Sequence, residues 1–330
     1  MRVITLEDHF TTKLHNTTIP PVKDPNSLYN RIEIAKERSK ELGHDIDREL
    51  MDMGSSRIAA MDAAGVDLQV ISLTTPGCQP LEPEQSVRVA QDANDQLYEA
   101  IQKYPTKFAG FSALPTPNPE VASEELKRGI TKLGFKGALI NSHTHGEFLD
   151  DKKYWTIFET AQSLDVPIYL HPAAPHPAAM QSYFGGFEDL ARPAWGFSVD
   201  ASTHFLRILF GGVFDSFPKL KIILGHLGEG LPFGLQRLND HTINAARNRK
   251  LKRTPVEYFK ENLVVTTSGN FSIPSFMCTV EILGIENVLF SIDWPYESNR
   301  VGSKFLDDLP LSDAQKEQVA YKNAERVLRL

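Results

Sequence analysis

The segment K-I-I-L-G-H-L-G-E-G-L-P, residues 221–232, carries the clearest structural pattern in this sequence. A short apolar run bounded by glycine is typical of a buried parallel strand, and His226 would lie where the chain leaves the sheet. Glycines on both sides of Glu229 predict a tight turn, and Pro232 suits the first turn of a helix that carries Arg237. One strand end would therefore offer an imidazole, a carboxylate and a guanidinium. Taken alone, the segment also fits a buried histidine before an ordinary strand-to-helix turn.

Apolar runs of the same kind recur along the chain, with helical patterns between them. Alternation of strand and helix repeated eight times, in strands rich in Val, Ile, Leu and Phe, indicates a parallel (β/α)8 TIM barrel more strongly than an open doubly wound sheet. At 330 residues the chain is expected to form a single barrel domain over residues 1–330. The predicted strands are 3–9, 67–73, 108–114, 135–141, 167–172, 221–226, 263–269 and 288–294, and helices are predicted at 56–64, 83–104, 119–133, 154–164 and 312–330.

Two connections are too long for plain barrel loops, and both follow strands whose ends carry polar residues. Residues 10–54, after the first strand, hold Pro20, Pro21 and Pro25 and a charged helix predicted around 32–42. Long loops at the carboxyl ends of barrel strands are usually functional, so both connections are expected to form walls of a substrate pocket. Packing of the insertions or burial in a subunit interface is the alternative for their aromatic residues. Residues 173–220, after the fifth strand, hold a predicted helix near 201–211 and the aromatics Tyr183, Phe184, Phe187, Trp195 and Phe197.

The composition excludes several classes of partner. The formal net charge is -7, and the basic run R-N-R-K-L-K-R at residues 247–253 is interpreted as a solvated helix end, so no nucleic-acid partner is expected. No segment resembles a signal peptide or reaches membrane-spanning length, which predicts a cytoplasmic protein without a membrane partner. Cys78 and Cys278 have neither disulfide-framework nor metal-ligand spacing and are expected to be reduced and structural.

Polar residues gather at the ends of four predicted strands. Glu7 and His9 end the first strand and share a face because side chains two apart point the same way, whereas Asp8 points into the other layer. His171 ends the fifth strand and Asp293 the eighth. Two carboxylates and two imidazoles that converge at the carboxyl end of a barrel suit one divalent transition ion, zinc or manganese, and leave positions open for substrate.

Five motifs resemble the amidohydrolase superfamily, and more narrowly its branch of metal-dependent, non-oxidative decarboxylases, which act on hydroxybenzoates and related acids. The motifs are E-x-H on the first strand, Y-L-H-P on the fifth, I-L-G-H-x-G-E on the sixth, T-T-S-G-N-F on the seventh and F-S-x-D-W-P-Y-E on the eighth. The resemblance extends over nearly the whole chain. It departs from the binuclear hydrolases of the superfamily, because Lys136 begins the fourth strand and Asn141 ends it, so that no lysine is available there to bridge two metals.

Three further histidines, His143, His145 and His176, follow the fourth and fifth strands, where they either reshape the pocket or are solvated loop residues.

The resemblance assigns roles to residues. The implied metal ligands are Glu7, His9, His171 and Asp293, the acid/base histidine is His226 with the adjoining carboxylate of Glu229, and Arg237 and Asn141 match substrate contacts.

The implied reaction is reversible decarboxylation of an ortho-hydroxylated aromatic carboxylic acid, with one divalent metal ion and no organic cofactor. Asp293 would give a proton to the carboxyl-bearing ring carbon, while His226 is hydrogen-bonded to it and Glu229 sets the imidazole tautomer. Arg237 or the loop residues would hold the carboxylate out of the ring plane. The partners expected are a small aromatic acid and further copies of the chain in a dimer or tetramer.

Two other functions fit parts of the same residue set. A mononuclear metal-dependent hydrolase of a lactone or amide would use the same ligands to activate a water molecule. A metal-stabilised barrel could also bind a small aromatic ligand without turnover, although a pure binding site has no need of an acid, a base and the residue that orients the base.

Overall fold

A computed structural model of the protein describes residues 1–19 and 38–330. The barrel has eight strand positions, here called staves. All of them are parallel, and each lies next to the one that follows it in the chain. β3 and β4 are two pieces of one stave interrupted at Phe111, so the eight predicted strands are all present. The strands are β1 Ile4–Phe10, β2 Leu68–Leu73, β3 Phe108–Gly110, β4 Ser112–Ala113, β5 Ala138–Asn141, β6 Ile168–His171, β7 Ile222–Leu224, β8 Leu263–Thr266 and β9 Val288–Leu289.

The chain beyond β9 meets β1 and closes the predicted TIM barrel. The His9 N–H donates to the Trp294 carbonyl oxygen at 2.8 Å, and the Ser291 hydroxyl donates to the Leu6 carbonyl oxygen. The barrel interior is apolar, and side chains of the C-terminal segment pack against it. Because mainly apolar side chains fill the lower layers, the space open to a substrate lies at the carboxyl ends of the strands. The inner residues include Ile4, Leu6, Leu68, Val70, Ala109, Phe111, Leu139, Tyr169, Ile223, Val264 and Leu289.

Most helices lie where the sequence places them, with ends that differ by one or two residues. The segment predicted as a helix at 312–330 is helical from Asp313 to Leu328, and a π-helical turn, Gln318–Lys322, lies in its middle. The Asn323 amide just beyond this turn donates to the Ile285 and Val288 carbonyl oxygens at 2.8 Å, so tertiary contacts override regular helical pairing. The helices of the outer layer are Ser55–Ala63, Pro83–Lys103, Pro119–Thr131, Trp155–Leu164, Leu231–Asn248, Pro255–Asn262, Ile273–Leu283, Asn299–Asp308, Asp313–Glu317 and Asn323–Leu328.

The two insertions follow β1 and β6, the first and fifth staves. Pro20, Pro21, Pro25 and the start of the helix predicted at 32–42 lie outside the described residues, and the rest of that insertion contains the helices Lys13–Thr18 and Ile46–Met51. The helix predicted near 201–211 begins earlier than expected, at Gly196. The second insertion contains the helices Pro177–Phe184, Gly196–Phe210 and Val213–Ser216 and a 3-10 turn, Glu188–Ala191.

Two minor predictions are confirmed. The basic run follows the end of the helix Leu231–Asn248, and most of its side chains are exposed. Cys78 is buried and Cys278 is half-buried, and both are free thiols. Among the described residues, no helix combines the length and apolar character needed to cross a membrane.

Candidate active site and metal centre

The strand ends bring the four predicted metal ligands together. One ligand atom each from Glu7, His9 and His171 lie within 4.8 Å of one another. His171 Nε2 is 3.2 Å from Glu7 Oε1, and Asp293 borders the group because its Oδ1 is 3.2 Å from His9 Nε2. Glu7 and His9 have no exposed surface and His171 is 5 % exposed. The arrangement forms a compact buried cluster of two carboxylates and two imidazoles at the carboxyl end of the barrel.

The chemistry of this cluster fits one divalent cation. Within the described residues, Glu7 Oε1, His9 Nε2 and Asp293 Oδ1 are buried and make no hydrogen bond. Buried polar atoms without partners are costly, and a cation in contact with them would remove that cost. Burial lowers the pKa of His171 well below its usual value, with a further decrease from the charge of His9, so His171 is neutral and in the form that binds metals.

His226 lies beside the cluster with its two ring nitrogens in different environments. Its Nδ1 is 2.7 Å from Glu229 Oε1, whereas its Nε2 faces Asp293 Oδ2 at 3.8 Å and Glu7 Oε1 at 3.9 Å. Burial opposes protonation, but the charges of Glu229 and Glu7 outweigh it and hold the pKa of His226 well above its usual value. Burial likewise opposes ionisation of Asp293, yet the neighbouring imidazoles of His226 and His9 lower its pKa to about 2. Without a metal, the proton therefore resides on His226 and Asp293 is ionised.

The backbone is left-handed at four of the site residues, although none of them is glycine. The φ angles are 59° at Glu7, 51° at His226, 56° at Glu229 and 78° at Asp293. At Glu7 the pairing of β1 with β2 shifts register, so the carboxylate reaches the cluster through a bulge instead of the regular alternation assumed from the sequence. Such conformations cost about 1–3 kcal/mol each and are typical of functional sites. No residue type in the sequence signals them.

Asp8 points away from the cluster, as predicted, and joins a buried group that holds two ligand-bearing segments. It accepts hydrogen bonds from the Trp294 N–H at 3.2 Å and from the Thr5 hydroxyl, and burial raises its pKa to about 7. Arg57, which the sequence analysis did not identify, is 1 % exposed, donates to the His9 carbonyl oxygen at 2.6 Å and stacks on Trp294 at 4.3 Å. This group anchors the backbone on either side of His9 and Asp293.

A cavity of about 1020 Å³ opens over the cluster, and both insertions contribute to its walls. Trp195 and Phe197 line it, whereas Tyr183 and Phe187 are 75% and 64% exposed and lie outside its lining. The predicted role of the aromatics is therefore divided between cavity wall and surface, and Phe184 packs inside the insertion. The lining includes Arg38, Glu41, His171, Arg192, Trp195, Phe197, Val199, His226, Glu229, Leu231, Leu238, Asp293, Tyr296 and Glu297.

The structure does not bring Arg237 to this cavity, contrary to the prediction that it contacts the substrate. Its side chain is exposed and outside the lining. Gly234 and Leu238 of the same helix line the cavity, and Arg237 is displaced from them by about a quarter of a turn at 100° per residue. Asn141 is also absent from this lining. It is buried, its Nδ2 is 3.4 Å from the Leu73 carbonyl oxygen, and it borders a second cavity of about 260 Å³.

The three extra histidines line this second cavity and bind backbone groups. His143 Nδ1 accepts from the Gly146 N–H at 3.0 Å, so its Nε2 carries the proton donated to the Ala174 carbonyl oxygen at 3.1 Å. His145 Nε2 is 3.1 Å from the Leu81 carbonyl oxygen. His176 Nδ1 accepts from the first turn of the helix Pro177–Phe184. These contacts organise the loops after β5 and β6.

Comparison with known proteins gives a consistent result. Residues 41–330 match the family described as amidohydrolase. A γ-resorcylate decarboxylase from Polaromonas sp. is 35% identical over 345 residues, which cover 99% of this chain and 98% of that protein.

Two solved structures match over the whole chain. One is a dihydroxybenzoic acid decarboxylase from Polaromonas sp., with bound manganese and the inhibitor 2-nitroresorcinol. It has a TM-score of 0.87 and 33% identity, and the match covers 97% of its chain. The other is a 5-carboxyvanillate decarboxylase from Novosphingobium aromaticivorans, with manganese and 4-hydroxy-3-methoxy-5-nitrobenzoic acid. It has a TM-score of 0.91 and 32% identity, and the match covers 96% of its chain. Both superpose on 100% of this chain.

Proposed function

The chain belongs to the amidohydrolase family, in its branch of metal-dependent aromatic acid decarboxylases, and on that premise we propose that its substrate carries a hydroxyl group ortho to the carboxylate. The two manganese-containing neighbours hold nitroarenes with a hydroxyl group next to the nitro group. A nitro group is planar, has two oxygen atoms and has the shape of a carboxylate. These two bound nitroarenes thus support an ortho-hydroxybenzoate as the acid that is cleaved.

The single observation that carries the proposal is the position of His226 beside the ligand cluster. Glu229 engages Nδ1 at 2.7 Å, which leaves Nε2 directed at Asp293 on the floor of the cavity. An imidazole held between carboxylates in this way is suited to store a proton and to pass it to Asp293. A site that only binds a ligand has no use for such an arrangement.

We propose that Glu7, His9, His171 and Asp293 hold one divalent ion. Manganese is favoured over zinc because the neighbours contain it. When bound, the ion supplies Lewis-acid polarisation of the substrate oxygen atoms and orients the ring. The proton transfers below use side chains alone and require no organic cofactor.

The proton reaches the ring through Asp293. Its carboxylate takes a proton from His226 Nε2 or from the hydroxyl group of the incoming substrate and donates it to the carbon that bears the carboxylate. A C–H bond forms at that carbon, the C–C bond to the carboxylate breaks, and its electron pair restores the aromatic ring as CO₂ leaves. Glu229 fixes the tautomer and charge of His226 during these steps. By microscopic reversibility the same residues catalyse carboxylation at high bicarbonate.

We further propose that the protein is a homo-oligomer, a dimer or a tetramer. The support is a set of large apolar side chains that are exposed on the second insertion or on the helix Leu231–Asn248: Tyr183, Phe187, Leu190, Trp195 and Phe233. Large apolar side chains that are exposed in numbers are typical of interaction surfaces. Sedimentation velocity over a range of protein concentrations would measure the number of chains.

Turnover of matched substrates in labelled water tests the reaction. We expect 2,6-dihydroxybenzoate to release CO₂ in D₂O and to give a product with one deuterium at the former carboxyl position. The control substrate, 3,5-dihydroxybenzoate, lacks an ortho hydroxyl group and should not react. Equal turnover of the two acids would refute the substrate assignment. In the hydrolase alternative, a lactone or amide substrate would yield an acid containing ¹⁸O from labelled water, with no deuterium on carbon.

Replacement of Asp293 by Asn tests its role as proton donor. We expect no turnover, because an amide has no acidic proton to give. The measurement is CO₂ release at saturating manganese, which separates loss of the donor from loss of the metal. Turnover comparable with that of the wild type under these conditions would remove Asp293 from the proton path.

A further inference from the structure

Tyr169 contacts the carboxylate of Glu7 from inside the barrel. Tyr169 precedes His171 by two positions in β6, so both side chains point toward the barrel axis, with Tyr169 one layer deeper. Its hydroxyl donates a hydrogen bond to Glu7 Oε2 and is 2.8 Å from Thr266 Oγ1. None of Glu7, Tyr169 and Thr266 has exposed surface. This side of the carboxylate is closed to bulk solvent.

The two oxygen atoms of Glu7 consequently face different surroundings. Oε1 faces His171 Nε2 at 3.2 Å and makes no hydrogen bond within the described residues. Oε2 faces Tyr169, which stands among apolar side chains such as Leu6 and Phe111. A carboxylate that lost the tyrosine hydroxyl would keep only the longer contact from Thr266 and would otherwise face apolar side chains, so it would rotate.

The hydroxyl groups of Thr266 and Tyr169 form a hydrogen-bonded chain that runs from Thr266 through Tyr169 to Glu7. If Tyr169 donates to Glu7, its oxygen accepts from Thr266, because each hydroxyl has a single proton. The alternative contact from Thr266 to Glu7 Oε2 is longer, at 3.4 Å. Thr266 thus orients the phenol, and the phenol orients the carboxylate.

We propose that Tyr169 is a positioning residue for the metal centre, which holds Glu7 Oε2 so that Oε1 is presented to the ion. The proposal rests on the proposed metal site. Partners of this kind, which bind a ligand and not the metal, fix ligand orientation, and their removal usually lowers metal affinity by roughly 10–100-fold.

The test is manganese titration of Tyr169→Phe in the absence of substrate, with free Mn²⁺ measured by electron paramagnetic resonance. We expect the dissociation constant to rise by about tenfold or more. The matched control is Tyr258→Phe, because Tyr258 is also fully buried and donates to a carboxylate, that of Asp215, which is remote from the site. The control should bind manganese as the wild type does, and both metal-free variants should unfold at similar temperatures.

Unchanged affinity in Tyr169→Phe, or an equal loss in Tyr258→Phe, would overturn the proposal. Should Tyr169→Phe fail to fold, Thr266→Val provides the second measurement, because it keeps the side-chain shape, removes the donor to Tyr169 and should weaken binding to a smaller extent. An unchanged manganese affinity in Thr266→Val would contradict the proposal that Thr266 and Tyr169 orient Glu7. Since the titration contains no substrate, failure of decarboxylation would leave its result intact.

Discussion

Gly225, which directly precedes His226, lies against the carboxylate of Glu7, and Gly225→Ala should therefore displace this proposed metal ligand. A Cβ atom at this position would lie 2.6 Å from Glu7 Oε2 and 2.9 Å from Oε1, far inside the ordinary contact distance of 3.4 Å. The carboxylate would have to retreat by about 0.8 Å, which exceeds the roughly 0.5 Å tolerance of a functional site. The backbone itself accepts alanine, because φ is -71° and ψ is -175°. The defect would therefore be steric and local to Glu7.

We expect the manganese dissociation constant of Gly225→Ala to rise by roughly 10–100-fold, equivalent to about 1.4–2.7 kcal/mol. Gly110→Ala is the matched control, since its Cβ would be as crowded, at 2.7 Å, but by Leu97 Cδ2. Overpacking should cost both variants about 1–3 kcal/mol of unfolding free energy, whereas only Gly225→Ala should lose metal affinity. Equal affinities of the wild type and Gly225→Ala would refute the assignment of Glu7 as a ligand in this orientation.

Three further predictions use the same purified protein. His171→Ala should lose the metal, measured by elemental analysis of the dialysed protein, and full occupancy would contradict the ligand set. His226→Asn should retain the metal and lower kcat by roughly a hundredfold or more, so near-normal turnover would exclude an acid/base role. Asp200, which accepts from the Ser142 hydroxyl, has a pKa raised by burial to about 7, so its contribution to stability is full below about pH 4 and is lost as pH rises through 7. Urea unfolding at pH 5 and pH 8 measures the free energy of unfolding, which should fall less between the two pH values for Asp200→Asn than for the wild type. An equal fall in the two proteins would assign the pH dependence to other groups.

The barrel and the convergence of its polar strand ends could be predicted because they depend on periodicity. Continuous apolar runs locate the staves, and a residue at the end of a stave must lie on the rim of the barrel. Tyr169 was within reach of the same reasoning, because it shares a face with His171 in one strand. Gly225 was also visible as a glycine beside a candidate site residue, although the sequence does not show what lies opposite it.

Other features depend on tertiary contacts that leave no pattern in the sequence. The left-handed backbone of Glu7 and Asp293 is imposed by the surrounding structure against the preference of these residues. Arg57 falls within the helix predicted at 56–64, where nothing in the sequence distinguishes it from an exposed charged residue, yet it is buried against His9 and Trp294. Arg237 was assigned by resemblance alone, and its position a quarter-turn from the cavity follows from the rotation of its helix about its own axis, which the resemblance does not fix.

The closure of the barrel also determines when the site can exist. Asp8 and Trp294, which join the segments that carry His9 and Asp293, are 286 positions apart in the chain. Contacts between residues so distant in sequence form slowly, because the intervening chain must be ordered before they are gained. During synthesis the ligand set stays incomplete until the last stave has left the ribosome and met the first. If the four residues hold the ion as proposed, full ion binding requires the completed barrel, and a chain interrupted before that stave would lack Asp293 and the full set of donors.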